Sequence, residues 1–352
     1  MPSRDESVFD AVLEAALDSL RLSASERAAS AKRLKAMESE LVTLLADFNT
    51  TDAKAARVAA FLVNIDKVIG KNYKGLAKQL DLPGIAEVSA AHISEALVIA
   101  LGIETLELPS NQYLASVASD VLIQGAPSAD WWNGQSIDLK NKFAQQLRLG
   151  MGAGETNQQI ITRIVGNSTQ PGIMETARRN ADALVTTSVQ TVANDARRKT
   201  FEANDDVIKG LRQVSTLDGH TSVICVAYSG AEWDLNKKPI NGNTLAYGLG
   251  CPRHWRCRSL DVPIMKTFKE LGLNIPEPVS STRASSEGQI SEKTTFNDFL
   301  ERKGKAYQDR ILGVGRADLW RDGKITLRDL VDGTGNELTL EQLRAKVARR
   351  KA

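Results

Sequence analysis

Apolar residues recur at three- and four-residue steps through the N-terminal region. Leu34, Met37, Leu41, Leu44, Leu45 and Phe48 form one stripe; Ala59, Leu62, Val63 and Ile69 form a second. Such spacing puts each set on one side of a helix, so the pattern predicts helices packed in a small bundle. Leu82-Pro83-Gly84 interrupts it, and Val88 to Leu101 resumes it. A turn is expected at Ala126-Pro127-Ser128. Trp131-Trp132 then opens a new segment, and paired tryptophans anchor either a core or an interface.

The glycine-rich run Gly150-Met151-Gly152-Ala153-Gly154 lacks the lysine and Ser/Thr of a phosphate loop. It predicts a turn, with Thr156 and Gln159 as the capping box of the next helix. From Thr176 to Asn204 a long helix is expected. Ala181, Val185, Val189, Val192 and Ala196 mark its buried face, and Arg178, Arg179, Arg197, Arg198 and Lys199 sit near its ends.

Beyond Asn204 the pattern changes. Val207 to Leu217 predicts a strand, and the frequent glycine and asparagine between Gly230 and Gly250 predict hairpins and loops. Residues 275–292 are rich in Pro, Ser, Glu and Gly, as a linker would be. The remainder is helical, broken at Gly313, Gly315, Asp322-Gly323 and Asp332-Gly333. The whole predicts an α+β chain in four consecutive parts. These are a helical region over 1–125, a long helix with a β-rich Cys/His module over 126–265, a linker over 266–295 and a mostly helical tail over 296–352.

Composition narrows the function classes. The chain has 352 residues, 42% of them hydrophobic, enough to bury real cores. No unbroken run of about 18 apolar residues is present, so no membrane span is expected. The polar start, which carries acid, is not expected to be a signal peptide. Forty-five basic and 43 acidic residues leave a net charge of +2, so DNA contact would need a local patch. The candidates are Arg253, Arg256 and Arg258, and the tail residues Arg344, Lys346, Arg349, Arg350 and Lys351.

All three cysteines, Cys225, Cys251 and Cys257, fall in one window, together with His254 and just after His220. Cys251, His254 and Cys257 are spaced three apart, which sets them on one side of a tight loop or helical turn. With Cys225 they would complete a Cys3His set suited to a closed, structural zinc site. Two other arrangements stay open. The thiols could be packed and reduced, with His254 hydrogen-bonded and Asp218 and His220 capping the strand–turn junction. Alternatively, Asp218, His220, Cys225 and His254 could supply the acid, base and nucleophile of a hydrolase or toxin-like enzyme.

The order of these features resembles a known family. A helix with Leu184-Val185-Thr186-Thr187-Ser188 and Asn194 leads to a strand. Thr216-Leu217-Asp218-Gly219-His220-Thr221-Ser222 with Cys225 and Gly230 follows, and then Pro252-Arg253-His254-Trp255-Arg256-Cys257-Arg258. This order is similar to the phage Mu F-like head-morphogenesis domain, over about residues 140–265. The matched positions are Asp218, Thr221, Cys225, His254, Cys257 and Arg258. The chain departs from the pattern at His220, where arginine is usual, at Cys251 in place of the first proline, and at Ser259 in place of the last cysteine. Leu312-Gly313-Val314-Gly315-Arg316, Gly323-Lys324 and Leu338-Thr339-Leu340 also resemble the tail of related minor head proteins.

The resemblance implies a non-enzymatic virion protein in few copies, at the portal vertex or head interior and made in the host cytoplasm. Its partners would be the portal protein, major capsid or scaffold proteins, and phage DNA. A zinc-stabilised DNA-binding protein ejected with the genome is the neighbouring alternative.

Overall fold

The computed structural model describes residues 4–50, 54–272, 282–285, 288–291 and 295–351. In chain order the first helices are α1 (Arg4–Ala46), α2 (Ala55–Gln79), α3 (Leu82–Leu101), α4 (Asn111–Asp120), α5 (Ser128–Gly152), α6 (Asn157–Val165) and α7 (Ile173–Ala203). Next come β1 (Ile208–Val214), α8 (Val223–Tyr228), β2 (Glu232–Asp234) and β3 (Leu260–Met265). A hairpin of β4 (Thr282–Ser285) and β5 (Gly288–Ser291) follows. The chain closes with α9 (Phe296–Glu301), α10 (Lys305–Leu312), α11 (Val314–Arg321), a 3-10 turn (Leu327–Leu330) and α12 (Leu340–Lys351). The expected α+β class is what the chain adopts: mostly helix, with a small antiparallel sheet.

Packing divides the chain by a different rule from the four consecutive segments expected. Two compact units form, one from Ser19–Ile85 and Ala115–Val192, the other from Met1–Asp18, Ala86–Leu114 and Ala193–Ala352. The reason is helix length, since α1, α3 and α7 each begin in one unit and end in the other.

The first unit is helical. Leu34, Met37, Leu41 and Leu45 of α1 are fully buried, as their spacing predicts, and Leu62, Ile65, Ile69, Tyr73 and Leu76 form the buried face of α2. Ala59 and Val63, expected on that face, are exposed, because the α2 stripe is narrower than the sequence suggested. Helix α2 packs on α5, where Trp132 meets Tyr73 edge-on at 6.2 Å between ring centres. Each large side chain buried this way contributes about 1.5–3 kcal/mol. Helix α6 begins as expected: Thr156 accepts from the Gln159 amide and the Gln159 side chain returns to Thr156. The break at Leu82-Pro83-Gly84 is a helix start instead. The Asp81 side chain accepts from the Gly84 amide, and proline is at home in a first turn.

The second unit is built on the sheet of order β2-β1-β3, all antiparallel, with Leu211 of β1 opposite Trp233 on one side and Pro263 on the other. Gly210 is required here, since a Cβ would lie 2.4 Å from the Trp233 carbonyl oxygen. The tail expected as a separate part shares this core: Phe299, Leu312, Trp320 and Leu343 join Leu211, Trp233 and Tyr228 in one cluster. The expected linker contains the β4–β5 hairpin, and residues 273–281, 286–287 and 292–294 of it lie outside the described residues.

The stretch Ala55–Leu101 does contain an 18-residue window of mean hydropathy 1.5, apolar enough by length and composition to cross a membrane. Within it Ile93 and Leu97 are fully buried in the core of the second unit, while Val63, Val88 and Ile99 are exposed.

Candidate functional site

Two loops carry the chemistry. The first links β1 to α8 and runs through Ser215–Ser222; the second precedes β3 and runs through 251–259. In the first, Asp218 Oδ1 accepts from the His220 amide at 2.9 Å, folding the chain back on itself. Thr221 Oγ1 donates to the Thr216 carbonyl. Ser222 then caps α8, its Oγ accepting from the Cys225 amide, so Cys225 enters on the first turn of a helix that starts at a fixed place.

In the second loop the Cys257 amide donates to the His254 carbonyl at 3.1 Å, a four-residue turn with Arg256 at φ +59°. A positive φ at the third position is the mark of a type II turn, and there a non-glycine residue costs about 1 kcal/mol or more. The turn brings His254 and Cys257 to its two ends, facing Cys225.

The loops meet residue against residue. Arg258 donates to both oxygens of Asp218, at 2.7 and 2.8 Å, a bidentate pair across 40 positions of sequence. Burial pushes the Asp218 carboxyl up, but the hydrogen bonds from Arg258, the His220 amide and Thr221 outweigh it and hold the carboxyl below its ordinary value. Behind them Ser259 donates to Ser215, whose Oγ donates in turn to the Cys225 carbonyl at 2.7 Å.

Cys225, His254 and Cys257 form the centre, with their ligand atoms all within 4.8 Å of one another. Cys225 Sγ lies 3.4 Å from Cys257 Sγ and 3.4 Å from His254 Nε2. Both sulfurs are buried and the imidazole is half-buried. The hydrogen bond from Cys225 draws the Cys257 thiol down against burial, with His254 helping, while Cys225 is raised in return. A hydrogen bond to Cys257 raises His254 against its own burial. Two thiols and an imidazole suit a soft divalent metal, so this donor set fits zinc.

The expected fourth ligand is not there. Cys251 does not join the 4.8 Å group, although its thiol is close enough to interact by charge with Cys225 and Cys257, and its carbonyl accepts from Arg198 at 3.3 Å. Burial, and then Asp261, push its thiol well up. Of the acid–base–nucleophile set, Cys225 and His254 lie 3.4 Å apart, Asp218 is held by Arg258, and His220 is exposed.

The basic patch is also redistributed. The Arg253 guanidinium stacks on the Tyr228 ring, 3.5 Å from its centre, and donates to the Tyr247 carbonyl, while Arg258 is held by Asp218. In the tail, Lys346 and Arg350 both pair with Asp329.

The pattern of apolar residues hid the network beside the site. Arg197 and Arg198, expected near a helix end, are almost wholly buried. Arg198 pairs with Asp195 at 2.6 Å and faces Asp261 at 3.6 Å; Tyr247 donates to Asp261, and Tyr113 to Asp195. One signal was present. Arg197 follows Ala193, and Arg198 follows Asn194, by four residues, so both fall on faces that α7 buries. No family model, curated protein or solved structure matches the chain.

Proposed function

We propose that this chain is a minor head protein of a tailed bacteriophage, acting in head morphogenesis at the portal vertex. One observation carries the reading: the two segments that resemble the Mu F-like motif, far apart in sequence, engage each other at the matched positions. Asp218 is paired with Arg258, and Cys225 with His254 and Cys257. A motif whose members hold one another is a device for keeping a module's shape. That suits an assembly component, whose partners (portal, major capsid or scaffold proteins) would bind elsewhere on its surface.

A zinc-stabilised DNA-binding role draws less support, because four of the cations it would use are engaged within their own unit: Arg253, Arg258, Lys346 and Arg350. A hydrolase or toxin-like role would need a reactive thiol in reach of substrate, and both thiols of the centre are buried.

Quantitative mass spectrometry of purified heads and of free cytoplasm from the producing cell tests the proposal. A few copies per particle, well below the major shell protein, is the expected result. Absence from every particle, with the protein remaining free in the cytoplasm, would overturn it.

A further inference from the structure

We infer that Cys225, Cys257 and His254 bind one soft divalent metal ion, zinc being the natural occupant, without Cys251. The inference is independent of whether the chain is a virion protein.

Three observations converge on it. The first is distance. Around a tetrahedral zinc with bonds of about 2.3 Å to sulfur and about 2.0–2.1 Å to nitrogen, two sulfurs lie about 3.8 Å apart and a sulfur and a nitrogen about 3.6 Å. The sulfurs of Cys225 and Cys257 are 3.4 Å apart, and Cys225 Sγ is 3.4 Å from His254 Nε2. These two distances come within a few tenths of an ångström of what an ion needs, and the third pair, Cys257 Sγ and His254 Nε2, lies within 4.8 Å.

The second is the imidazole's orientation. The Trp255 carbonyl lies 2.9 Å from His254 Nδ1, and a carbonyl can only accept. Nδ1 therefore carries the proton, and in the neutral ring the lone pair sits on Nε2, the atom turned toward the sulfur. A backbone carbonyl holding the far nitrogen is the usual support of a metal-binding histidine.

The third is the way the donors are presented. Cys225 is fixed by the capped start of α8, and His254 and Cys257 by the strained turn at Arg256. The Asp218–Arg258 pair locks the two loops together from outside. The three donors are thus positioned by backbone hydrogen bonds and an ion pair that do not depend on the metal.

Three protein donors differ from the closed four-ligand set that the spacing suggested, since a tetrahedral ion takes a fourth ligand from elsewhere. Ser222 Oγ is 2.8 Å from His254 Nε2, so metal binding displaces that hydrogen bond. The hydroxyl is then beside the fourth position, where it can hold a water. The metal would tie α8 to the loop before β3, and its effect on the protein is mainly one of stability.

The test uses the purified full-length chain, prepared under reducing conditions with Zn2+ and separately with Co2+. The expected result is about one metal per chain by elemental analysis, with thiolate-to-cobalt charge transfer in the Co2+ form. Cys257→Ser and His254→Asn should each lose most of the metal, while Cys251→Ser keeps both stoichiometry and spectrum. Should the ligand variants fail to fold, wild-type protein still decides. Chelation should lower its melting temperature by several degrees and Zn2+ should restore it. Wild-type protein that takes up neither metal overturns the inference. So does a Cys251→Ser variant that loses metal as Cys257→Ser does, or a Cys225–Cys257 disulfide found by peptide mapping in place of a metal.

Discussion

The two units of this protein solve the problem of holding a chain together in different ways. The helical unit relies on apolar stripes; residues such as Leu41, Ile69 and Phe143 are fully buried, and its charged Glu38 is buried with Arg178 and Lys35 as partners. Both units bury polar groups, but in the helical unit most are hydroxyls such as Ser136, Thr187 and Ser188, whereas the unit carrying the sheet buries charges and their polar neighbours: Arg197, Arg198, Asp261, Gln213, Ser215 and Ser259. A stripe is forgiving, because any side chain of similar volume can fill it. A buried polar network requires each partner, since removing one leaves another without compensation.

The contrast can be broken most directly at Asp261. This carboxylate is buried beside Arg198 and accepts from Tyr247 at 2.6 Å. Asp261→Ala should cost about 3–5 kcal/mol in chemical denaturation, the range for stripping one partner from a buried ion pair. A loss below about 1 kcal/mol would mean that the network is not what secures this unit.

In the helical unit, Leu41→Ala should cost about 2–5 kcal/mol, whereas Leu41→Met should cost less than about 1.5. Equal losses from the two would contradict the forgiving-stripe account. Differential scanning calorimetry on the pair of variants gives the comparison.

The smallest effect concerns the tail. Burial raises the Asp329 carboxyl, but Arg350, Lys346 and Thr326 overcome this and hold it well below the ordinary range. A depressed carboxyl contributes stability that is complete above the unfolded value near about 4 and drains away as pH falls toward the folded one. Asp329→Asn should therefore cost about 0.2–1 kcal/mol at neutral pH, given the exposure of its cationic partners. The gap should close in strong acid. Urea titrations at several pH values measure it; a gap that widens toward acid would reverse the assignment.

What could be read from sequence follows the same division. The α7 face of Ala181, Val185, Val189, Val192 and Ala196, and the Thr156–Gln159 cap, depend on neighbours within a turn or two, and each is found where the spacing put it. The gathering of Cys225, His254 and Cys257 could be anticipated because cysteines are scarce and these stood close together. Cys251 shares that spacing but lies outside the turn that sets His254 and Cys257 at its two ends, and a turn with Arg256 at φ +59° is invisible in a count of residues. The buried Arg198 is not legible in the sequence because charge ordinarily marks a surface, and only its partners, Asp195 and Asp261, reverse that rule.

Asn204, just past the end of α7, shows one further way of using a buried polar group. Its side chain accepts from the Glu107 amide and donates to the Glu107 carbonyl, both at 2.9 Å, while also donating to the Thr200 carbonyl. A single side-chain amide thus stands in for a neighbouring strand and pins a segment that has no regular structure of its own. Because it grips main chain only, the identity of the residue at 107 is immaterial to the grip, with proline the exception for want of an amide hydrogen. Selection on that segment would then fall on its length, which sets what reaches Asn204, more than on its letters.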